Sequence, residues 1–390
     1  MKRRPLILGI AVMLVLSMLP TAALAYDSGG ETYNEHDYNA MVEFLSQPSS
    51  ATGQTNAQVL GYDIDKPETW RDVVWSLDAE KRLVEVGFAS GWYDKGLAGS
   101  LDLSICTMLI DLDCSRNQVT SIDVNGCTAL QWVLSNHNQL TTLNVDGCTA
   151  LRSLSCNENM LTTLDVSGCS SLRNLECHNN EMSILDVGEC AKLTSLSCFA
   201  NHLITLDVSK CTMLWELYCR ENQLTSLNVT GCTALERLYS YSNQLTRLDV
   251  SKNTALKYLD CSNNQLTELD ASANTKLLSL ACSQNQLTSL DVRTNTEPFE
   301  LVCSNNQLTE LDVSRCPTLR WLICDGNLLT TLNVSGCIAL KDLVCDESVK
   351  VWRLNITLLL GGLGLLIIGG VTALILIRRR RKNRALSGES

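Results

Sequence analysis

The feature that most constrains this chain is an asparagine that returns every 21 residues without a slip. The asparagines that share the spacing are Asn117, Asn138, Asn159, Asn180, Asn201, Asn222, Asn243, Asn264, Asn285, Asn306 and Asn327. A fixed period of about 20 to 50 residues is the signature of a solenoid, in which each repeat stacks on its neighbours. We therefore expect one elongated repeat domain instead of several globular ones.

A single unit, residues 151–171, reads LRSLSCNENMLTTLDVSGCSS. It begins with the spacing Leu-x-x-Leu-x-Cys-x-x-Asn-x-Leu, the leucine-rich-repeat pattern with cysteine at the third apolar position. Leu154 and Cys156 alternate with Ser153 and Ser155, as in a half-buried strand. Twenty-one residues are too few for a strand, two turns and a full helix, so we expect an extended or 3₁₀ return leg. The predicted fold is an α/β-type solenoid, mostly β: a curved leucine-rich-repeat rod with a parallel concave sheet.

All 19 cysteines fall in two further ladders. Ten lie three residues before the repeat asparagine: Cys114, Cys156, Cys177, Cys198, Cys219, Cys261, Cys282, Cys303, Cys324 and Cys345. Nine lie ten residues after that position: Cys106, Cys127, Cys148, Cys169, Cys190, Cys211, Cys232, Cys316 and Cys337. Stacked strands hold equivalent side chains parallel and about 4.8 Å apart, whereas disulfide Cβ atoms are about 3.8 Å apart and face each other.

Substitutions in the two cysteine ladders also argue against disulfides. Serine replaces cysteine at Ser135 and Ser240, and asparagine replaces it at Asn253, Asn274 and Asn295. A small buried side chain with weak hydrogen-bonding ability tolerates such replacement, and a disulfide does not. Zinc is disfavoured because ligands in a line cannot surround one ion tetrahedrally. We expect buried free thiols.

A ladder of aspartate or asparagine lies six residues after the repeat asparagine. It comprises Asp123, Asn144, Asp165, Asp186, Asp207, Asn228, Asp249, Asp270, Asp291, Asp312 and Asn333. Either a row of calcium ligands or a row of turn-capping side chains would have this composition. Free exchange with asparagine and the lack of a glycine-rich calcium loop favour the turn cap.

The two ends of the chain depart from the repeat. Residues 1–25 have a basic start, an apolar run and an Ala-Leu-Ala end, which predicts a secretory signal peptide cleaved before Tyr26. We interpret residues 26–95 as an N-terminal cap with a loose start (26–38) and short helices at 38–45 and 67–77. In this cap Trp70 and Trp75 are expected in the core, since every solenoid end needs a cover.

The repeat domain is predicted at 96–347, with eleven full 21-residue repeats plus partial ends, and 348–355 as a juxtamembrane segment. Residues 356–377 form an uncharged run of 22 residues, long enough for one transmembrane helix. The basic residues in 378–390 predict a cytoplasmic tail by the positive-inside rule. We therefore expect a single-pass protein of the cell membrane with its N-terminal domain outside.

Charge and motifs exclude several functions. Residues 26–377 contain 22 Lys and Arg and 41 Asp and Glu, a net charge of about −19. Such a surface argues against nucleic acid as a partner. The sequence has no GxSxG, no HExxH, no glycine-rich phosphate loop and no paired-cysteine metal motif. We expect no enzyme activity, no cofactor and no metal.

The 21-residue units, with cysteine in place of a strand leucine and a Leu-Asp-Val-Ser return leg, resemble the cysteine-ladder branch of the internalin-type bacterial surface proteins. The resemblance spans about residues 96–347. It implies a bacterial surface protein that binds molecules of host or neighbouring cells through its concave sheet. No Leu-Pro-x-Thr-Gly signal precedes the apolar run and no immunoglobulin-like spacer follows the repeats. These departures favour a retained membrane helix and a rod that starts close to the membrane.

Aromatic and arginine side chains mark a candidate ligand site, since such residues dominate binding energy at protein interfaces and aromatics stack on sugars. Those predicted to point outward from the sheet are Phe199, Tyr218, Arg220, Arg237, Tyr239, Tyr241 and Tyr258 in mid-array, with Trp132 and Trp321 near the ends. The alternative is that these residues merely suit exposed strand positions. Two functions follow: adhesion or recognition of an extracellular protein or glycan, or a structural spacer or accessory subunit of a bacterial envelope complex without an external ligand. The oligomeric state stays open.

Overall fold

The computed structural model describes residues 25–51, 53–89, 95–352 and 376–380. A 15-stranded sheet runs the length of the molecule, and all its neighbours pair in parallel except the first two strands. Successive strands of the repeat pair at an offset of 21 residues, so the buried leucine of each coil lies directly beside that of the next. The mostly β solenoid predicted from the period is confirmed.

The cap precedes the repeats and covers the first coil. Its elements are β1 (Ala25–Ser28), β2 (Glu31–Asn34), α1 (Glu35–Ser46), α2 (Asn56–Leu60), a 3₁₀ turn (Pro67–Thr69), β3 (Val73–Trp75), β4 (Glu80–Lys81) and β5 (Leu83–Gly87). Helix α1 begins where the Asn34 side chain accepts a hydrogen bond from the Asp37 amide. It buries Phe44, whose ring stacks on Phe88 at 5.6 Å, and Trp70 is buried behind it.

Two local predictions in the cap are wrong. Residues 26–38 are ordered as the hairpin β1–β2 and the start of α1. The helix expected at 67–77 is only a 3₁₀ turn, followed by β3, because the β-branched pair in β3 finds a partner strand in β5. As a result Leu77, the last residue of the predicted helix, is 97% exposed.

The repeats supply the remaining strands up to β23, and β24 and β25 follow the repeats in the chain. They are β6 (Ala98–Asp102), β7 (Asp111–Asp113), β8 (Gln118–Asp123), β9 (Trp132–Leu134), β10 (Thr142–Asn144), β11 (Ser153–Ser155), β12 (Asn174–Glu176), β13 (Ser195–Ser197), β14 (Thr205–Asp207), β15 (Glu216–Tyr218), β16 (Ser226–Asn228), β17 (Arg237–Tyr239), β18 (Tyr258–Asp260), β19 (Ser279–Ala281), β20 (Glu300–Val302), β21 (Trp321–Ile323), β22 (Thr331–Asn333), β23 (Asp342–Asp346), β24 (Lys350–Trp352) and β25 (Leu376–Arg380). The return legs are extended and pair in parallel in small groups such as β14 with β16.

Each repeat asparagine joins two coils through its side-chain amide. In Asn243 the Nδ2 group donates to the carbonyl of Ser240 at 3.0 Å and to that of Cys219, one coil earlier, at 3.1 Å. Its Oδ1 accepts from the backbone N–H of Leu224 at 2.9 Å. Irregular backbone at this turn would otherwise bury unpaired polar groups. The side-chain amide of the asparagine therefore satisfies backbone groups of two neighbouring coils.

The cysteines are free and buried, as expected. In the second ladder Cys232 Sγ donates to the carbonyl of Val208, 24 residues earlier, at 3.1 Å. Where asparagine replaces cysteine the same bond persists, with Asn253 Nδ2 donating to the Val229 carbonyl at 2.9 Å. Burial raises the pKa of these thiols, for example that of Cys232 to about 12. This position of each coil therefore suits a small side chain that can donate a hydrogen bond.

The aspartate ladder caps turns. Asp249 Oδ1 accepts from the backbone N–H of Ser251 at 2.9 Å, and Asn333 Oδ1 accepts from that of Ser335 at 3.0 Å. Hydrogen bonds to the ionised carboxylate hold the pKa of Asp249 below its ordinary value. Within the described ranges, no group of carboxylates, histidines or cysteines is arranged to hold a metal ion.

Part of the C-terminal prediction falls on described residues. The helix expected at 356–377 lies outside them up to residue 375, and the structure places Leu376 and Ile377 in a strand. These two residues belong to β25, which pairs in parallel with β23, because the last strand of a sheet leaves an edge of unpaired amides and carbonyls. Among residues 25–352 and 376–380, apart from the gaps at 52 and 90–94, no helix is long and apolar enough to cross a bilayer.

Candidate functional site

The candidate site lies on the outward surface of the long sheet. We call this surface the sheet face and define it by the residues on either side of the buried leucine in each strand. The strand register sets its columns: Glu216 lies beside Arg237 and Arg237 beside Tyr258 in one column. Tyr218 lies beside Tyr239 in the other. Equivalent side chains of neighbouring coils are therefore about 4.8 Å apart, close enough to stack.

A continuous stack crosses four coils just beyond the strand ends. The His178 ring stacks on Phe199 with centroids 4.2 Å apart and an interplanar angle of 14°. The Arg220 guanidinium lies 3.8 Å from the Phe199 ring centroid and 5.5 Å from that of Tyr241. A guanidinium over aromatic faces is attracted by their quadrupoles. The stack thus holds Arg220 in place between two rings.

A second stack lies within the strands. The rings of Tyr218 and Tyr239 are 4.9 Å apart at an angle of 5°. Tyr218 Oη donates to Glu216 Oε1 at 2.7 Å. Burial, together with this bond to a carboxylate, raises the pKa of Tyr218 to about 12, so the phenol stays protonated as a donor.

Arg237 connects the second stack to its surroundings. Its Nη1 donates to Glu216 Oε1 at 3.2 Å, and its guanidinium lies 5.4 Å from the Tyr258 centroid and 5.5 Å from that of Trp215. The side chain of Glu216 is only 12% exposed, whereas that of Arg237 is 42% exposed. The pair fixes the Glu216 carboxylate at the base of the cluster.

The structure brings together seven of the nine predicted site residues. The mid-array cluster comprises Phe199, Tyr218, Arg220, Arg237, Tyr239, Tyr241 and Tyr258. Trp132 and Trp321 lie elsewhere: Trp132 is on β9, and Trp321 contacts Phe299 edge-on at 5.9 Å. Both tryptophans are exposed, at 39% and 38%. They are separate positions near the ends of the array.

A notch opens beside the cluster, over β13, whose two outward residues are both serine. It is a cavity of about 290 Å³ with Ser195 and Ser197 among its lining residues. Glu176 and Glu216 contribute carboxylates from the two flanking strands, and Phe199 contributes a ring. From the sequence, Glu176 and Glu216 were missed because only aromatic and arginine residues were sought, and Trp215 was missed because it precedes the strand instead of lying at an outward position in it. The signal available was a strand with two small outward residues between strands with larger ones.

One contact in the notch invites comparison with a hydrolase. Ser197 Oγ and His178 Nδ1 are 3.2 Å apart, and burial lowers the pKa of His178. In the described part of the chain His178 makes no hydrogen bond to a carboxylate, so the group that orients the base in a catalytic triad is missing there. The geometry suits binding by stacking and hydrogen bonds.

No protein-family model matches the sequence, and no curated protein matches it. Among solved structures the chain is similar to the functional domain of InlJ from Listeria monocytogenes, which includes a cysteine ladder. The two are 32% identical over 65% of this chain and 68% of that one, with a TM-score of 0.50.

Two further solved structures are similar in fold. A leucine-rich-repeat protein from Leptospira interrogans is 24% identical over 70% of this chain and 72% of its own, with a TM-score of 0.57. The ectodomain of the plant receptor kinase GASSHO1/SCHENGEN3 from Arabidopsis thaliana is 22% identical over 81% of this chain and 41% of its own, with a TM-score of 0.65. That ectodomain was solved in complex with CASPARIAN STRIP INTEGRITY FACTOR 2.

The stacked parallel strands, the asparagine turns and these similarities define a leucine-rich-repeat protein. A smaller group within the leucine-rich-repeat proteins is indicated by the 21-residue period, the cysteine ladders and the sequence identity to InlJ. The chain belongs to the internalin family of leucine-rich-repeat proteins, in its cysteine-ladder form.

Proposed function

We propose that this protein is a recognition module that binds an extracellular protein or glycan through the mid-array cluster on its sheet face. The observation that carries the proposal is the clustering itself. Phe199, Arg220 and Tyr241 form one stack and Tyr218 and Tyr239 another, whereas the strand that precedes them presents only serine outward. Rigid aromatic side chains held in place before binding lose little entropy when a ligand arrives.

The rest of the chain explains why the cluster is available to a ligand. The leucines and cysteines behind the sheet are buried in one continuous core. The cluster is not needed to complete that core, since serine occupies equivalent outward positions in β11, β13 and β19. Side chains that a fold does not need are candidates for recognition.

Binding of the purified full chain to mucins, matrix proteins, host cells and a glycan array tests the proposal. The test variant carries serine at Phe199, Tyr218, Tyr239, Tyr241 and Tyr258, and should lose binding by roughly 1–3 kcal/mol for each dominant side chain. A matched control carries serine at the exposed apolar residues Met160, Ile184 and Ile204, which lie outside the sheet strands, and should bind like the parent.

The outcomes separate the functions. Loss of binding in the cluster variant alone supports recognition at this site. Equal binding by the parent and the cluster variant would support a recognition function but would place the ligand outside the mid-array cluster. No binding by the parent would favour the spacer or accessory subunit without an external ligand, and partners would then be sought in the envelope. A third variant with serine at Trp132 and Trp321 tests whether the ends of the array take part.

Anchoring at the membrane is a separate proposal. Residues 356–377 form the membrane anchor, with 378–390 on the cytoplasmic side, on the strength of the uncharged run and the basic residues that follow. In that state Leu376–Arg380 would leave β23, because a strand beside the repeats lies on their side of a bilayer. Protease protection of a tag after residue 390 in intact cells tests this topology, and cleavage of the tag from outside would contradict it.

A further inference from the structure

A row of aliphatic side chains lies on the sheet face near its C-terminal end. In β19, β20, β21 and β23 the outward position after the buried leucine holds Ala281, Val302, Ile323 and Val344, which the strand register places side by side. In the eight strands of the same sheet from β7 to β18, this position holds one aliphatic residue, Leu134. The preference of β-branched residues for strands would scatter them along the row, so it does not explain four in succession.

Larger apolar side chains flank this row. Trp321, the outward residue before the buried leucine of β21, is 38% exposed. Phe299 precedes β20 and contacts Trp321 edge-on with ring centroids 5.9 Å apart, and Leu278 precedes β19 and is half-buried. We call these three residues and the four aliphatic residues of the row the distal patch. A contiguous apolar patch that water can reach marks an interaction site.

The distal patch is separate from the mid-array cluster. Between Tyr239 of the cluster and Ala281 of the patch, the row holds the carboxylate of Asp260. In the neighbouring column Ser279 lies between Tyr258 and Glu300. Trp321 therefore belongs to a second surface, and a ligand of the cluster leaves this surface uncovered.

The charges in and beside the distal patch are balanced. The charged residues at the outward positions of β19, β20, β21 and β23, or directly before these strands, are Glu300, Asp342, Arg320 and Lys341. Asp325 and Asp346 lie further along the chain and are only 4% exposed. The patch is thus neutral, although residues 26–377 carry a net charge of about −19. Two copies of so acidic a chain repel each other over most of their surface, and a neutral apolar patch is where they can meet without that cost.

We infer that the distal patch is the contact between two copies of this chain, which meet sheet face to sheet face. In a two-fold dimer the same patch is used by both copies, so a surface with equal numbers of acidic and basic residues is complementary to itself. The patch and its charged neighbours are fewer than the roughly 20–30 residues a side of a stable interface, so the dimer is weak and depends on concentration. The inference goes beyond the proposed function and does not depend on the ligand.

Sedimentation of the full-length protein in nonionic detergent, over the micromolar range expected of a small interface, should show a monomer that becomes a dimer. Val302→Ser with Ile323→Ser should raise the dissociation constant of the dimer about tenfold or more. The fold should tolerate this change, because serine occupies the equivalent position at Ser155. The matched control, Met160→Ser with Ile204→Ser, alters exposed apolar residues outside the sheet strands and should dimerise like the parent.

Charge reversal tests whether both copies use the same patch. Arg320→Glu with Lys341→Glu makes all four charged positions acidic, and Glu300→Lys with Asp342→Lys makes all four basic. Each variant alone should stay monomeric because like charges face each other across the contact. An equimolar mixture should recover the dimer, since one copy of each kind restores opposite charges. Melting curves by circular dichroism check that both variants are folded.

Three results would overturn the inference. The first is a parent that stays monomeric over the whole concentration range. The second is a dimer that survives the serine substitutions and both charge reversals, because its contact would then lie elsewhere, for example in residues 356–377. The third is a mixture of folded charge-reversed variants that stays monomeric at concentrations where the parent is dimeric.

Discussion

The side-chain amide of each repeat asparagine is the single group on which the turn of a coil depends. Asn243 makes bonds to the backbone of its own coil and of the preceding one, and it is buried. Replacing it leaves the Leu224 N–H without its acceptor in a buried place, whereas the Ser240 and Cys219 carbonyls keep one bond each, from Asn264 and Asn222. An unsatisfied buried group costs about 1–3 kcal/mol.

We therefore predict that Asn243→Ala lowers the free energy of unfolding by about 2 kcal/mol, the cost of one unsatisfied buried amide together with the lost interactions of the side chain. Chemical denaturation followed by circular dichroism measures the change. Gln244→Ala is the control, since Gln244 is exposed and follows directly in the chain. A loss below about 1 kcal/mol would show that the amide bonds contribute little net stability.

One backbone feature of the turns could not be predicted from the residue types. The residue before each repeat asparagine has a positive φ, between 51° and 57° at ten non-glycine positions such as Ala200 and Glu221. Glycine marks this conformation only at Gly326. Because ten different coils accept ordinary residues there, composition offered no sign of the left-handed backbone. The amide bonds of the neighbouring coils hold these residues in place instead, as when Ala200 N–H donates to the Arg220 carbonyl.

At the scale of elements, the buried cysteine ladders predict how the thiols react with a thiol reagent. Burial raises the pKa of thiols such as Cys156 and Cys198, each to about 12, so almost no thiolate exists at neutral pH. We predict that the native protein does not react with Ellman's reagent at pH 8 and that all 19 thiols react after unfolding in guanidinium. A count below 19 after unfolding without reductant would reveal disulfides and contradict the ladder.

The aspartate ladder predicts a dependence of stability on pH. Hydrogen bonds from serine lower the pKa of Asp249, Asp270 and Asp312, and Arg293 lowers that of Asp291 to about 2. A carboxylate whose pKa falls on folding stabilises the native state above the unfolded value near 4, and this stabilisation is lost as pH falls through the folded value. The melting temperature should therefore drop between about pH 4 and pH 2.

Asparagine at these four aspartate positions provides the matched control. The chain already uses asparagine in this way at Asn228 and Asn333, where the same backbone bond forms. The fourfold variant should melt at a similar temperature at pH 6 and lose less stability on acidification. An unchanged acid dependence would assign the effect to other carboxylates.

At the scale of elements, the periodic part of the fold could be predicted and the cap could not. The offset of 21 residues determines which side chains of the repeats face inward. The first coil departs from it, since Val86 pairs with Leu112 at 26 residues, five more than the repeat. The cap contains no repeated pattern, so each of its elements has to be predicted from one short segment. The local pattern predicts a helix at residues 67–77. The strand β3 forms there instead because pairing with β5 outweighs the local pattern.

At the scale of the whole molecule, the stacked strands place residues from separate coils side by side on one continuous surface. The sequence predicted the outward aromatics because strand alternation is reliable once the period is known, and the structure brings seven of the nine together. It did not predict the notch, since a cavity depends on the size of neighbours in three coils at once. Nor could it show that Glu216 serves both Tyr218 and Arg237.

Solenoid stability is shared between neighbouring coils, so the mid-array cluster is held by the least mobile part of the rod. Its side chains stack across coils at distances fixed by strand spacing. A ligand that spans Phe199 and Tyr241 would contact three coils at once. Recognition is then a property of the array, and no single repeat could provide it.

Photo-crosslinking tests the central claim, that the ligand lies on the sheet face in mid-array, most directly. The full chain would carry benzoylphenylalanine at Asn174, beside the notch, or at Thr288, an exposed residue outside the sheet strands. Each protein would be irradiated with the cells or matrix components that bind the parent. The account predicts a covalent adduct from position 174 and none from position 288. Adducts from position 288 with none from 174 would place binding on another face and contradict it.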